Sequence, residues 1–275
     1  DACNDTGIDF EELLFTQNDK LDQTEFTQPA IVLNSLMSYL AFSERIKAKP
    51  EFSLGHSLGE FTALAVSGAF SFVEAIRLVN LRGKFMQEAC IGKDAGMMVV
   101  LGLSDEVVEE ICKNAQNEGL KIYAANYNCD GQIVVAGVRA DLASYEAKFK
   151  EAGAKRAMLL NMSVASHCPI LEPASVRLAN ELEGVLAANF APVVSNVNAK
   201  IYTDKNEALV LLKEQLTHPV RYKQGIKNYE NEVDCFIELG AATLKGINKK
   251  ITEKPTYSIT DMASLEEVVK ILEER

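Results

Sequence analysis

Short apolar runs alternate with longer stretches of 3.6-residue apolar periodicity along the whole chain, a pattern that predicts a mixed α/β protein rather than a bundle or a sandwich. Ile31, Leu33, Leu36, Met37 and Leu40 recur at helical spacing over residues 29–42, with Pro29 suited to a first turn. Phe52 to Leu54 reads as a short strand, followed by Gly55-His56-Ser57-Leu58-Gly59 and a helix over residues 60–67 closed by Gly68. Ser71 is placed to cap a further helix running to about Ala89. The pattern then changes. Strands are predicted over 96–103, 120–127, 132–138 and 155–161, with helices over 104–117 and 141–151, in the order βαββαβ of a ferredoxin-like unit. Beyond Ser163 the spacing predicts helices near 171–188, 206–216 and 220–229 and strands at 236–239 and 257–260. The last helix is expected to open on a capping box formed by Ser264 and Glu267. The fold class expected is therefore α/β: a discontinuous large domain, residues 1–90 and 163–275, carrying an inserted ferredoxin-like small domain at 91–162.

Composition narrows the function. Of 275 residues, 28 are basic and 39 acidic, a net charge of −11 that repels phosphate backbones and anionic lipid surfaces, so neither nucleic acid nor membrane is an expected partner. No apolar run approaches the roughly 20 residues of a bilayer span. The six cysteines form no C-x-x-C pair, and a chain of this size needs no disulfide framework, so free thiols in a reducing cytoplasm are expected. The sequence opens at Asp1 without a charged-then-apolar leader, and the reading is of no signal peptide.

The segment 55–59 fits G-x-S-x-G, the nucleophile elbow, in the strand–turn–helix context the motif needs; the plain alternative is a Gly-Ser turn. Ser57 is the candidate nucleophile, and the helix starting there would aim free amides, that of Leu58 among them, at a developing oxyanion. The chain holds three histidines, His56, His167 and His218. His56 adjoins the serine in a turn whose neighbouring side chains diverge, and His218 precedes a proline at a helix end. His167, in the polar segment 163–169, is the best general base, with a capping or surface role as the alternative. Cys168 beside it reads as a packed thiol. No aspartate stands out as a third triad member; a carbonyl could orient the imidazole equally well, and Gln215 is one candidate. Arg82, with Gly83 and Met86, follows the elbow by one helix, where it could hold a substrate carboxylate in a bidentate pair or lie solvated on the helix surface. No metal cluster or nucleotide loop is evident.

Four ordered motifs, residues 55–61, 82–87, 166–167 and 215–220, together resemble the malonyl-CoA:acyl carrier protein transacylases of bacterial fatty-acid synthesis. The resemblance spans nearly the whole chain, including Glu238-Leu239-Gly240, which is similar to the family's E-x-G-P-G stretch with Ala241-Ala242 in place of Pro-Gly. It implies Ser57 as the acylated residue, His167 as its base, Arg82 as the clamp on the malonyl carboxylate with Leu58 and Met86 beside the substrate, and Gln215 orienting His167 through its main-chain carbonyl. It also implies malonyl-CoA and acyl carrier protein as partners, coenzyme A as a substrate thioester with no further cofactor, and a monomer. Family members open with a strand and Gly-Gln-Gly-Ser-Gln, whose glutamine supplies an oxyanion amide; this sequence has no such segment, and leading residues are expected to be missing from it. An acidic carrier would need a basic patch, for which Lys148, Lys150, Lys155 and Arg156 are the densest candidates, the alternative being an ordinary solvated helix end. Three other readings stay open: an esterase or lipase of the α/β-hydrolase type, a polyketide acyltransferase of other extender choice, and a noncatalytic carrier-protein-binding module.

Overall fold

A computed structural model describes residues 1–162 and 164–274. The first elements are α1 (Ala2–Thr6), α2 (Phe10–Phe15) and α3 (Thr24–Arg45). The spacing alone missed α1 and α2, and α3 begins five residues before the expected Pro29, which lies inside it. A proline there cannot donate to the carbonyl four residues back, that of Glu25. Asn80 Nδ2 donates to that carbonyl instead, at 3.0 Å, so the helix passes through the proline without an unsatisfied acceptor.

Residues 52–54 pair only through one parallel bridge, Ser53 with Val193, and lead through the elbow into α4 (Gly59–Val66). Next comes α5 (Phe72–Cys90), capped by Ser71, which accepts from the Glu74 amide. Packing between α3 and α5 explains a glycine: a Cβ on Gly83 would meet Thr24 O at 2.5 Å. One turn on, Gln87 Oε1 accepts from the Glu25 amide at 2.8 Å, so the α5 segment 82–87 both receives and caps the start of α3.

β1 (Ala95–Leu101), α6 (Asp105–Asn117), β2 (Ile122–Cys129), β3 (Gln132–Val138), α7 (Arg139–Glu151) and β4 (Arg156–Leu159) follow. They form one antiparallel sheet in the order β2-β3-β1-β4, with Met98 opposite Val135 and Leu159. Met98, Ile133, Leu142 and Phe149 bury a separate core under the two helices. β2 is tied to the rest of the molecule where Tyr127 N donates to Val220 O (2.9 Å) and Val220 N to Ala125 O (2.8 Å). Lys223 Nζ adds ion pairs to Asp105 (2.7 Å) and Asp130 (3.0 Å) across the same joint.

Beyond it, α8 (Glu172–Glu183) stops at Gly184 rather than near residue 188. The chain then forms an unanticipated hairpin, β5 (Asn189–Val194) and β6 (Ile201–Asp204). Pro192 within β5 suppresses the usual strand signal, yet its carbonyl accepts from Ser53 N at 2.9 Å. α9 (Lys205–Gln215) and α10 (Tyr222–Tyr229) lead to β7 (Phe236–Leu239), α11 (Thr243–Asn248) and β8 (Thr256–Ile259), with β7 and β8 parallel. The Glu238 carboxylate accepts from Leu244 N (2.8 Å) and Lys245 N (2.9 Å), an anion on the first turn of α11. The final helix, α12 (Met262–Glu273), is capped by Asp261, with Ser264 at the third position rather than at the cap, because the aspartate accepts from Ser264 N (2.8 Å). Among the described residues no helix is long and apolar enough to cross a membrane, and Cys3, Cys90, Cys112, Cys129 and Cys168 are free thiols.

Candidate active site

Ser57 has φ +51°, in the left-handed region where a non-glycine residue costs about 1–3 kcal/mol. Three side-chain contacts from distant parts of the chain hold it there. Asn196, in the β5–β6 connection, accepts from Ser57 N (2.6 Å) through Oδ1 and donates to Gly55 O (2.7 Å) through Nδ2. Gln215 Nε2 donates to Ser57 O at 3.0 Å. The turn closes so tightly that a Cβ on Gly55 would collide with the backbone of Gly59 and Glu60, whereas a Cβ on Gly59 would meet nothing within 4 Å. Of the two glycines in the motif, the first is the one that sterics demand.

The Ser57 hydroxyl lies 2.7 Å from His167 Nε2, and His167 Nδ1 lies 2.7 Å from the main-chain carbonyl of Gln215. A carbonyl only accepts, so Nδ1 carries the hydrogen and Nε2 turns its lone pair to the serine. His167 is buried with φ +59°, and burial, reinforced by the nearby Arg82 charge, pulls its pKa down to about 3. The imidazole is thus neutral at ordinary pH. Ser163, which opens its segment and the expected large-domain half, lies outside the described residues.

Arg82 reaches the same hydroxyl from α5, Nη2 donating to Ser57 Oγ at 3.0 Å. Its remaining contacts are neutral: Nη1 to Gln28 Oε1 (2.7 Å), Nη2 to Gln215 Oε1 (3.2 Å), and the Phe61 ring 5.6 Å away. Only 2% of Arg82 is exposed, its Nε has no partner, and no carboxylate lies within ion-pair distance among the described residues. Burial lowers its pKa to about 10, against the opposing pull of Glu60, so it stays cationic at neutral pH. A buried guanidinium with an idle donor is a site for an anionic group brought in from outside.

Glu60, the second residue of α4, is also buried. Its carboxylate accepts from Tyr202 Oη (2.8 Å), Gln215 Nε2 (2.7 Å) and, at 3.3 Å, the Asn196 amide. Burial raises its pKa to about 7 despite these donors and Arg82. The amides of Gly59, Glu60 and Phe61 turn back onto the carbonyls of residues 56–58, while the Leu58 amide has no acceptor among the described residues. A cleft of about 280 Å³ reaches His167 between Glu109, Lys113 and Tyr123 on one side and Pro169, Thr217 and Pro219 on the other.

Ser57, His167, Arg82, Leu58 and Gln215 thus converge. Met86 does not join them: it is buried behind Gln28, whose Nε2 donates to its sulfur at 3.4 Å, so it supports the arginine's partner instead of lining the cleft. His56 bonds Asn128 (2.7 Å) and packs on Tyr222, and His218 is exposed beside Glu214 O. Cys168 is fully buried, and burial pushes its thiol up to about 12, which leaves it protonated and unreactive. Lys148 and Lys150 are exposed on the last turn of α7, Lys155 just before the edge strand β4 and Arg156 at its start, Lys150 pairing with Glu146. Sequence reasoning missed Gln28, Glu60, Asn196 and Tyr202. Glu60 alone carried a signal, a charged residue placed directly after the elbow.

Comparison with known proteins gives concordant matches. The acyl transferase domain family matches residues 2–267. The chain is 38% identical over 259 residues to the malonyl CoA-acyl carrier protein transacylase of Haemophilus influenzae, covering 92% of this chain and 83% of that protein. It is 35% identical over 270 residues to the Bacillus subtilis protein of the same name, covering 97% and 82%. The crystal structure of the Helicobacter pylori malonyl-CoA:acyl carrier protein transacylase superposes with a TM-score of 0.95 at 44% identity, over 99% of this chain and 88% of that one. A malonyl-transacylase in complex with its type II polyketide acyl-carrier protein superposes at 0.93 and 34%, over 98% and 89%.

Proposed function

The chain belongs to the acyl transferase domain family, and on that premise we propose that it moves the malonyl group from coenzyme A to the phosphopantetheine thiol of acyl carrier protein, as in type II fatty-acid synthesis, through a malonyl-Ser57 intermediate. One observation carries this reading. The hydroxyl that meets a neutral imidazole at 2.7 Å also meets, at 3.0 Å, a buried guanidinium with no carboxylate partner. A nucleophile and base alone would serve any ester; the arginine selects an acyl group that ends in a carboxylate.

As Ser57 Oγ attacks the thioester carbon, its proton passes to His167 Nε2, and Gln215 O steadies the imidazolium by accepting from Nδ1. Charge developing on the carbonyl oxygen is met by the Leu58 amide. His167 returns the proton to sulfur, coenzyme A leaves as a thiol, and the malonyl ester stays on Ser57. The pantetheine thiol then runs the same steps in reverse. A malonyl carboxylate paired with Arg82 also cancels part of the field that depresses His167, so the correct donor strengthens the base that activates attack on it. Coenzyme A enters and leaves as substrate, and the chemistry calls for no resident cofactor.

The α/β-hydrolase-like large domain and ferredoxin-like insert go with this reading, and the βαββαβ order with its sheet order β2-β3-β1-β4 supports the second. Free, mostly buried thiols suit a reducing, cytoplasmic setting. A base oriented by a carbonyl, not a carboxylate, together with the arginine, argues against a simple esterase. Intact-protein mass spectrometry after incubation with malonyl-CoA tests the proposal. A malonyl adduct is expected on the wild type and absent in Ser57→Ala, while Arg82→Ala loses the preference for malonyl over acetyl donors. An adduct that persists in Ser57→Ala would refute the assignment.

A further inference from the structure

Gln215 connects three charges or incipient charges. Its main-chain carbonyl accepts from His167, its Oε1 accepts from Arg82, and its Nε2 donates to Glu60. An ionised carboxylate only accepts, so Glu60 fixes which way this amide points: with Nε2 on the carboxylate, Oε1 must face the arginine. Glu60 and Arg82 are therefore two opposite buried charges separated by one amide, with no direct ion pair between them. When the carboxylate of an acyl group binds Arg82, it brings a second negative charge to the same guanidinium.

We propose that Glu60 is the counter-charge of this clamp, a positioning residue whose negative charge limits how tightly Arg82 holds an acyl carboxylate, and which takes up a proton from solvent when that carboxylate arrives. The inference rests on Arg82 holding the acyl carboxylate. The charged or titratable groups that act on Glu60 are Arg82 on α5 and Tyr202 on β6, with Glu207 acting in turn on Tyr202. Among these Arg82 is the one cation. A proton on Glu60 has an acceptor ready, because Tyr202 Oη can accept as well as donate. Burial already holds this carboxyl at about 7, so a further negative charge nearby tips it to the neutral form at neutral pH.

Glu60→Gln separates charge from scaffolding. Its amide oxygen can take the Gln215 and Asn196 donors and its NH₂ can donate to Tyr202 Oη, so each contact is kept, the one to Tyr202 with its direction reversed, while the charge is lost. Steady-state kinetics with malonyl-CoA are expected to show KM lowered by up to about twofold at pH 7, where the carboxyl is about half ionised, and by up to about tenfold at pH 8, where it is nearly all ionised, with kcat falling alongside because the acyl group is held too well. Constants for acetyl-CoA, which has no carboxylate, are expected to change less than those for malonyl-CoA and without the fall in KM. Identical constants for both donors, or equal losses for both, would overturn the proposal, since either means that Glu60 acts through hydrogen bonds alone. A second measurement needs no variant: in weakly buffered wild-type enzyme near pH 7, malonylation takes up a fraction of a proton and acetylation takes up none, and equal uptake for the two overturns the proposal. Malonyl preference surviving Arg82→Ala would remove the clamp itself, an outcome distinct from an Arg82 effect that stands while Glu60→Gln is silent.

Discussion

The four-stranded sheet of residues 95–159, whose Tyr123 and Ala124 line the cleft that reaches His167, and the site around Ser57 hold their shapes by opposite means. In the sheet, neighbouring strands and their two helices supply nearly everything: antiparallel ladders run from Ala95–Val138 to Leu101–Gln132, and the apolar face packs against Leu142, Tyr145 and Phe149. Around Ser57, local structure supplies strain. Both Ser57 and His167 sit at positive φ, and the hydrogen bonds that keep them there come from Asn196 and Gln215, 139 and 158 positions from Ser57, from Gln215 again, 48 positions from His167, and from each other across 110 positions. The sheet is held mostly by its own ladders and its own apolar core, whereas the pocket is assembled from side chains whose value exists only after the rest has folded. Stability and reactivity are therefore separable in this molecule by substitution.

The largest expected effect is on chemistry alone. His167→Ala removes the one base in reach of Ser57 among the described residues, and acyl transfer should fall by about 10²–10⁴-fold in a stopped assay while the thermal midpoint moves little. The wild type sharpens the same point through pH. A histidine at its ordinary value near 6.5 would lose base function as pH falls through that range. Burial and Arg82 disfavour the charged imidazole and hold this one at about 3, so the base form persists through pH 5. With acetyl-CoA as donor, which does not engage the carboxylate clamp, kcat/KM is expected to be flat between about pH 5 and 8. An inflection near 6.5 would mean that His167 titrates as an exposed residue does.

A matched pair of substitutions follows. Leu142→Ala empties a fully buried site beneath the sheet and should cost about 2–5 kcal/mol in denaturant unfolding, with kcat for the remaining folded enzyme unchanged. Asn196→Ala should cost less, about 1–3 kcal/mol for the donor and acceptor it strands at Gly55 and Ser57, but should lower kcat, because the strained turn loses its tether. If the two variants lose stability and activity in the same proportion, the separation between the regions is wrong.

What was legible in the sequence follows the same divide. The βαββαβ unit was readable in order because each of its elements carries its own period and its own stop, Ser104 and Gly119 around α6 and Gly153 after α7. Ser57, His167 and Arg82 could be nominated from motifs, yet only coordinates bring the arginine to the serine, since a buried and a solvated arginine look alike on an amphipathic helix. Asn196, Gln28 and Tyr202 left no trace: a side chain that bonds across a hundred residues imposes no periodicity. The β5–β6 hairpin was hidden by Pro192, and the start of α3 by a proline whose lost hydrogen bond is offset from α5, by Asn80. Met86 was misplaced for a related reason, since helical spacing tells which residues share a face but not whether the face meets a cavity or another side chain.

The smallest effect concerns the outer surface of the sheet, where the comparison predicts that charge changes touch neither stability nor acylation. Lys155 and Arg156 are exposed, Arg156 at the start of the edge strand β4, and Lys148 and Lys150 stand on the last turn of α7. In a chain of net charge −11 this is a local excess of positive charge, of the kind an acidic carrier protein would need. Reversing Lys155 and Arg156 to Glu should raise KM for carrier protein by a few-fold, most clearly at low salt, and leave KM for malonyl-CoA and the unfolding midpoint as they were. Unchanged carrier kinetics at low salt would place the docking surface elsewhere. A rise in KM for both substrates would mean instead that β4 transmits a shape change to the cleft, and the independence of the two regions would fail at that edge.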